Sequence, residues 1–139
     1  MKTISIFLVV FAFCMISNAY GIKNPFKGKK TTLLFRNGLA HKNWLKVRCK
    51  SGDNDVRERY MKPAEDWGFS FHDDVFGETL FWCTLYKGPT YKVHKKFDAY
   101  VQDKRMPHGG SYNYIAKEDG IYHSNFVQFK LRKMYDWVY

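Results

Sequence analysis

The chain contains no apolar run long enough to cross a bilayer. Its longest, ISIFLVVFAFCMI over residues 4–16, holds 13 residues, whereas a spanning helix needs about 20. The run follows Met1 and Lys2 and gives way to Ser17, Asn18 and Ala19. A basic start, a short apolar stretch and small residues at its end describe a secretory leader rather than an anchor. Cleavage is expected after Ala19, and a cut after Gly21 also fits. Residues 1–19 are therefore read as a signal peptide and residues 20–139 as the exported protein.

Proline is scarce, at four residues, and no Gly/Ser linker, low-complexity tract or internal repeat divides the chain. The 120 residues behind the leader suffice for one domain with its own core. Residues 20–30 read as a flexible basic arm carrying Lys23, Lys27, Lys29 and Lys30, with Phe26 as an apolar anchor. No Asn-x-Ser/Thr triplet occurs, so N-glycosylation is not expected. Cysteine is almost absent as well. Cys14 leaves with the leader, and Cys49 and Cys83 remain as an even pair in an oxidising route, where a disulfide is the expected state. Two lone thiols at this separation make neither a zinc framework nor a CxxC redox pair. Acid is also in short supply: the exported part holds 22 Lys and Arg against 13 Asp and Glu, a net charge of +9. Such a surface attracts pectin-like wall polymers, anionic lipid heads, nucleic acid or an acidic receptor face, or it serves solubility alone.

Catalytic signatures are missing too. There is no GxSxG, HExxH or phosphate-binding glycine loop. His41, His72, His94, His108 and His123 supply residue types suited to acid–base work, but no spacing links them, and they read as solvated loop or strand-face histidines. Asp53, Asn54 and Asp55 resemble the start of a calcium loop without its glycine and terminal glutamate, and read instead as turn chemistry. His72, Asp73 and Asp74 are too close in sequence to converge on one ion. No cofactor or metal is expected.

What the chain has in quantity is aromatic side chains, 19% of residues, arranged with period two. Strands are expected over residues 31–36, 44–49, 67–71, 79–86, 91–101, 112–116 and 126–131. Along residues 44–49, Leu45, Val47 and Cys49 face one way and Lys46 and Arg48 the other. TLFWCTLY (residues 79–86) is apolar on both faces, as in a covered central strand or one with an aromatic outer face. The lysines and aromatics of residues 91–100 could stack bases or sugars, but one buried and one solvated strand face explains them as well. Turn signals fall between these runs, Asn37-Gly38 and Asp119-Gly120 among them. VRERYM (residues 56–61) is the best helix candidate. The pattern is that of an all-β fold, a small antiparallel sandwich or barrel, with the Cys49 and Cys83 strands joined across the core.

TLLFRNGLAHKNWLKVRCKSGDNDV (residues 32–56) resembles the first signature of the plant S-protein homologue family, the poppy-type self-incompatibility proteins. The signature residues are Asn37, Leu39, Leu45, Val47, Cys49, Lys50, Ser51, Asp53 and Asp55. Thr79, Phe81 and Cys83 match the family's Thr-x-Phe-x-Cys strand, Phe97 and Tyr100 its Phe-x-x-Tyr, and Asp119 to Tyr122 its closing Asp-Gly-x-Tyr. The match covers about 90 residues in order. Two features depart from the pattern. Val56-Arg57 replaces a common Leu-Gly, and Ser111-Tyr112-Asn113-Tyr114 stands where many members carry part of a second cysteine pair. The C-terminal half is then expected to be held by aromatic packing alone.

The resemblance implies a small, secreted, mostly antiparallel β-sandwich that acts as a non-catalytic extracellular ligand. Founding members are pistil signals recognised by a pollen membrane protein. A cell-surface receptor is thus the expected partner, met through the loops at residues 40–43, 51–59, 72–77, 87–90 and 103–110. Two alternatives remain. One is a cationic defence protein binding membranes or acidic wall polymer through Lys23, Lys27, Lys29 and Lys30. The other is a small secreted nuclease or hydrolase, with nucleic acid the less expected partner.

Overall fold

Alternating burial turns the aromatic-rich segments into strands. The computed structural model describes residues 27–74, 79–102 and 109–139, and these carry nine strands: β1 (Lys27–Gly38), β2 (Leu45–Ser51), β3 (Asp55–Met61), β4 (Asp66–Asp74), β5 (Leu80–Lys87), β6 (Val93–Val101), β7 (Gly110–Lys117), β8 (Gly120–Asn125) and β9 (Arg132–Tyr135). They form a five-stranded sheet, β4-β1-β7-β8-β9, and a four-stranded sheet, β3-β2-β5-β6. Every pairing is antiparallel except β1 with β7, which is parallel. The expected leader, Lys23, Phe26 and His108 lie outside the described residues. The expected arm ends early, because β1 already runs from Lys27. Lys27 is in register with Asp74 and Lys30 with His72, so Lys27, Lys29 and Lys30 belong to a strand.

The two sheets face each other across one core. Leu33, Phe35, Tyr114 and Ile121 come from the first, and Leu45, Val47, Phe81, Leu85 and Phe97 from the second. Aromatic pairs span the layers, with Phe71 4.4 Å from Phe81, Phe97 5.0 Å from Tyr114 and Tyr100 5.0 Å from Tyr112, ring centre to ring centre. Such pairs add about 0.5–1.5 kcal/mol beyond area burial. The buried Tyr114 hydroxyl donates to the Ala99 carbonyl and ties β7 to β6.

Cys49 and Cys83 are disulfide-bonded, but not from sheet to sheet as expected. They are directly opposed on neighbouring strands β2 and β5, with α-carbons 4.1 Å apart. That is the close approach of a non-hydrogen-bonded antiparallel pair. The bridge therefore staples the centre of one sheet.

Three local expectations are corrected. VRERYM is part of edge strand β3, not a helix. Arg57 has φ of 68°, its amide bonds the Asp55 carboxylate, and β3 is bulged against β2 near there. Residues 126–131 are not a strand. The Asn125 side chain accepts from the amides of Val127 and Gln128 and turns the chain, leaving Phe129 82% exposed. Asn37-Gly38 is not a hairpin turn but the end of β1, with Asn37 buried.

The C-terminal half is held by more than ring packing. β7 and β8 form a hydrogen-bonded hairpin and β9 adds to it. Trp137 donates its indole N–H to the Lys117 carbonyl at 2.7 Å. Val138 then exchanges two backbone hydrogen bonds with His94 on edge strand β6. Residues 132–138 thus pass from one sheet to the other and close one side of the sandwich.

Candidate functional site

Strand order distributes the connections to two opposite ends. The turns at residues 39–44, 62–65, 88–92 and 118–119 share one end. Those at residues 52–54 and 126–131 share the other. The five loops expected to meet a receptor therefore do not form one surface. Residues 40–43 and 87–90 stand together, while the described parts of those at 51–59, 72–77 and 103–110 belong to the far end. Of the latter, residues 75–78 and 103–108 lie outside the described residues. Much of 51–59 is strand β3, and much of 72–77 is the end of β4.

The first end is pinned by buried or half-buried polar groups. Asn37 is 1% exposed because it follows Leu33 and Phe35 on the inward face of β1. Its amide NH₂ donates to the carbonyls of Asn43, Met61 and Lys62 at 2.9, 3.1 and 3.1 Å, and its carbonyl accepts from the Leu39 amide at 3.0 Å. One side chain thus fixes the residue 39–44 turn to the corner between β3 and β4. Glu65 closes that corner, accepting from the Lys62 amide at 2.7 Å and from Arg59 at 2.5 Å. The Lys62 amide and then Arg59 hold its carboxyl below the usual range.

Glu118 works from the β7–β8 turn, in the same sheet as Asn37. It accepts from the Ala40 amide at 3.0 Å and the Lys87 ammonium at 3.1 Å. Burial pushes its carboxyl up, but the hydrogen bonds and charge of Lys87 and Ala40 outweigh this and lower it. Lys87 lies near the Trp137 and Tyr139 rings, 5.5 and 5.7 Å away. The Gly88 amide donates to the Trp44 carbonyl at 2.7 Å. A β-carbon at Gly88 would sit 2.6 Å from that oxygen, so only glycine allows the approach. The backbone is spent on these fixings, while the side chains of His41, Lys42, Trp44, Lys62 and Pro89 point into solvent. His41 and Lys42 adopt left-handed φ of 60° and 55°, which turns both outward.

The outer face of the four-stranded sheet adjoins this end. Lys46, Arg48 and Lys50 of β2 project from it, beside Trp82, Thr84 and Tyr86 of β5 and His94, Lys96 and Asp98 of β6. The Lys46 ammonium sits 4.1 Å from the centre of the Tyr86 ring, and Tyr86 stacks on His94 at 5.9 Å. Arg48 bonds Asp55 at 2.7 Å and lies 3.5 Å from Glu58. With Arg57 these line an open hollow of about 410 Å³. The Arg57 amide first and Arg48 second lower the Asp55 carboxyl. Asp55 thus performs turn chemistry as expected, and adds an ion pair. The outer face of the five-stranded sheet is quite different, with small polar pairs such as Thr32–Ser70 and Asn113–Ser124.

The described histidines are scattered. His41 is in a turn, His72 on β4, and His94 on β6 with Nδ1 3.0 Å from the Lys92 carbonyl. His123 on β8 is half-buried against Tyr112 and Tyr114 and bonds the Asn113 carbonyl. Burial and the nearby Arg132 push its imidazole down, against that bond. Among the described residues, no three His, Cys, Asp or Glu side chains stand together to hold a metal ion. The sequence reading named Asn37 as a signature residue and placed it in a turn, although its parity with Leu33, Phe35 and Leu39 marked an inward position. It missed Glu118, whose partners are distant in sequence and leave no local signal.

Residues 32–137 match the plant self-incompatibility protein S1 family, and the chain belongs to it. S-protein homolog 21 of Arabidopsis thaliana is 46% identical over 125 residues, covering 88% of this chain and 89% of the relative. S-protein homolog 9 of the same plant is 39% identical over 124 residues, with the same coverages. A solved structure of a self-incompatibility protein homologue superimposes with a TM-score of 0.67 at 23% identity, covering 81% of this chain and 97% of that one. It is described as one of a widespread family of small, highly stable, secreted proteins from plants.

Proposed function

We propose that the protein is an exported, non-catalytic plant ligand recognised by a cell-surface receptor at the pinned end. Export rests on the leader-like residues 1–19 and on membership of a family with a relative described as secreted. The carrying observation is the division of labour at that end. Asn37, Glu65 and Glu118 lock three turns from beneath and the Gly88 amide ties the fourth to Trp44, while His41, Lys42, Trp44 and Pro89 face outward. Loops preordered in this way lose less entropy on binding, and an exposed tryptophan ringed by polar groups suits an interface centre.

The test is binding of labelled mature protein to plant cells. Saturable binding that falls about tenfold or more with Trp44→Ala or with the pair His41→Ala/Lys42→Ala supports the reading. Unchanged binding with both variants overturns it. Affinity that merely tracks net charge and salt favours the cationic defence role. Turnover in an RNA-cleavage assay, lost on single histidine replacement, favours the nuclease.

A further inference from the structure

The outer face of the four-stranded sheet carries a feature that a receptor-facing loop end does not require. Trp82, Thr84 and Tyr86 run along the middle strand β5 as a half-buried floor, with β2 on one flank and β6 on the other. Strands lie about 4.8 Å apart, so the flanks are about 10 Å from each other, and successive outward residues are about 7 Å apart along each strand. Lys46, Arg48 and Lys50 line one flank, and His94 and Lys96 the other. Arg48 is engaged by Asp55 and Glu58, whereas among the described residues Lys96 makes no ion pair, and Lys46 rests on a tyrosine ring.

We propose that this face binds an unbranched acidic polysaccharide with a carboxylate on each sugar, laid along β5. Its ring faces rest on Trp82, and its carboxylates turn alternately to the lysines of β2 and β6, with Lys46 reaching them from its place over the Tyr86 ring. Two features favour this ligand over other polyanions. Asp55, Glu58 and Asp98 are interspersed among the cations, which suits a carboxylate polymer with hydroxyls to share and opposes the denser charge of a phosphodiester backbone. The Tyr86 ring face is taken by Lys46, which leaves it poorly placed to stack a base or to enter lipid. This site is separate from the pinned turns, so replacements at His41, Lys42 and Trp44 leave it intact whether or not the receptor reading holds.

The experiment measures binding of the mature protein to long oligogalacturonate by calorimetry at about 0.1 M salt, where exposed charges more than about 10 Å apart are largely screened. Lys50→Glu/Lys96→Glu is expected to weaken binding about tenfold or more. Lys117→Glu/Lys130→Glu, the same charge change placed off this face, is expected to change it by less than about threefold. Methyl-esterified oligogalacturonate, which keeps the rings and loses the charge, is expected to bind about tenfold more weakly, and Tyr86→Ser is expected to weaken the acidic form. Lys50→Gln/Lys96→Gln repeats the flank test should the charge reversal impair folding, with circular dichroism as the check. Equal losses in the off-face pair, equal binding of the esterified chain, or tighter binding of single-stranded DNA or phosphatidylserine vesicles at the same residues would each overturn the assignment.

Discussion

Replacing Asn37 tests the internal logic of the pinned end. Asn37→Ala removes the acceptor of the buried Leu39 amide and the donor to the Met61 carbonyl, both inside the protein. It also frees the carbonyls of Asn43 and Lys62, which are only part-buried and can find water. A buried polar group left without its partner costs about 1–3 kcal/mol, so two such groups cost roughly 2–6 kcal/mol. A small domain has about 5–15 kcal/mol in total. In urea, with a slope of about 2 kcal/mol per molar, the midpoint should fall by roughly 1–3 M.

Asn37→Asp separates hydrogen-bond direction from shape. The carboxylate still accepts from Leu39 but turns its second oxygen toward three carbonyls. At pH 7 it should be worse than alanine. Its folded pKa is then raised, so the stability it retains is present below the unfolded value of about 4 and is lost as pH rises through the folded value. Urea denaturation of the three proteins at two pH values reads all of this. A cost below about 1 kcal/mol for Asn37→Ala, or an aspartate as stable as asparagine at pH 7, would refute the argument.

Cys49→Ala/Cys83→Ala opens a loop with a sequence separation of 34. It should cost about 4 kcal/mol on the chain-entropy account, and an unchanged urea midpoint would contradict it. Tyr114→Phe leaves the Ala99 carbonyl unpaired between sheets and should cost about 1–2 kcal/mol in the same assay. In the parent, burial first and then neighbouring Tyr135 and Tyr112 hold that phenol far above its ordinary value. The stability it lends is present below about pH 10 and lost above. Ultraviolet titration should find one tyrosine that ionises only as the protein unfolds. Asp55, Glu65, Asp66 and Glu118 all have lowered carboxyls. Their contribution is therefore present above about pH 4 and lost as pH falls through the lower folded values. Glu118→Gln should make stability less sensitive to acid, and an unaltered pH slope would count against the pin.

Much of the scaffold was legible because burial alternates wherever a strand has one wet and one dry face. Leu45, Val47 and Cys49 announce β2, and Phe81, Cys83 and Leu85 announce β5. β3 escaped because it is an edge strand exposed on both faces until Met61, and β8 because its later residues are half-buried on both faces. Residues 126–131 misled for the opposite reason. They alternate in type, yet the Asn125 side chain captures the next amides before a ladder can form. The disulfide partners were readable from count and compartment, but whether they bridge two sheets or two neighbours depends on strand order, which period-two patterning does not encode. At the candidate site, exposed loops could be named from their turn residues. Which of them share an end is a property of topology, as is the meeting of Lys87 with Glu118.

The crossing made by residues 132–138 has a consequence for biogenesis. During synthesis the segments carrying Cys49 and Cys83 emerge long before Val138, yet the rim of β6 stays bare near His94 until that residue arrives and bonds it. Unpaired strand rims recruit other strands. Truncation just upstream of Trp137, or bulky cargo fused there, would therefore yield oxidised but unlatched molecules that polymerise edge to edge, whereas cargo placed ahead of residue 27 would leave the latch free to shut.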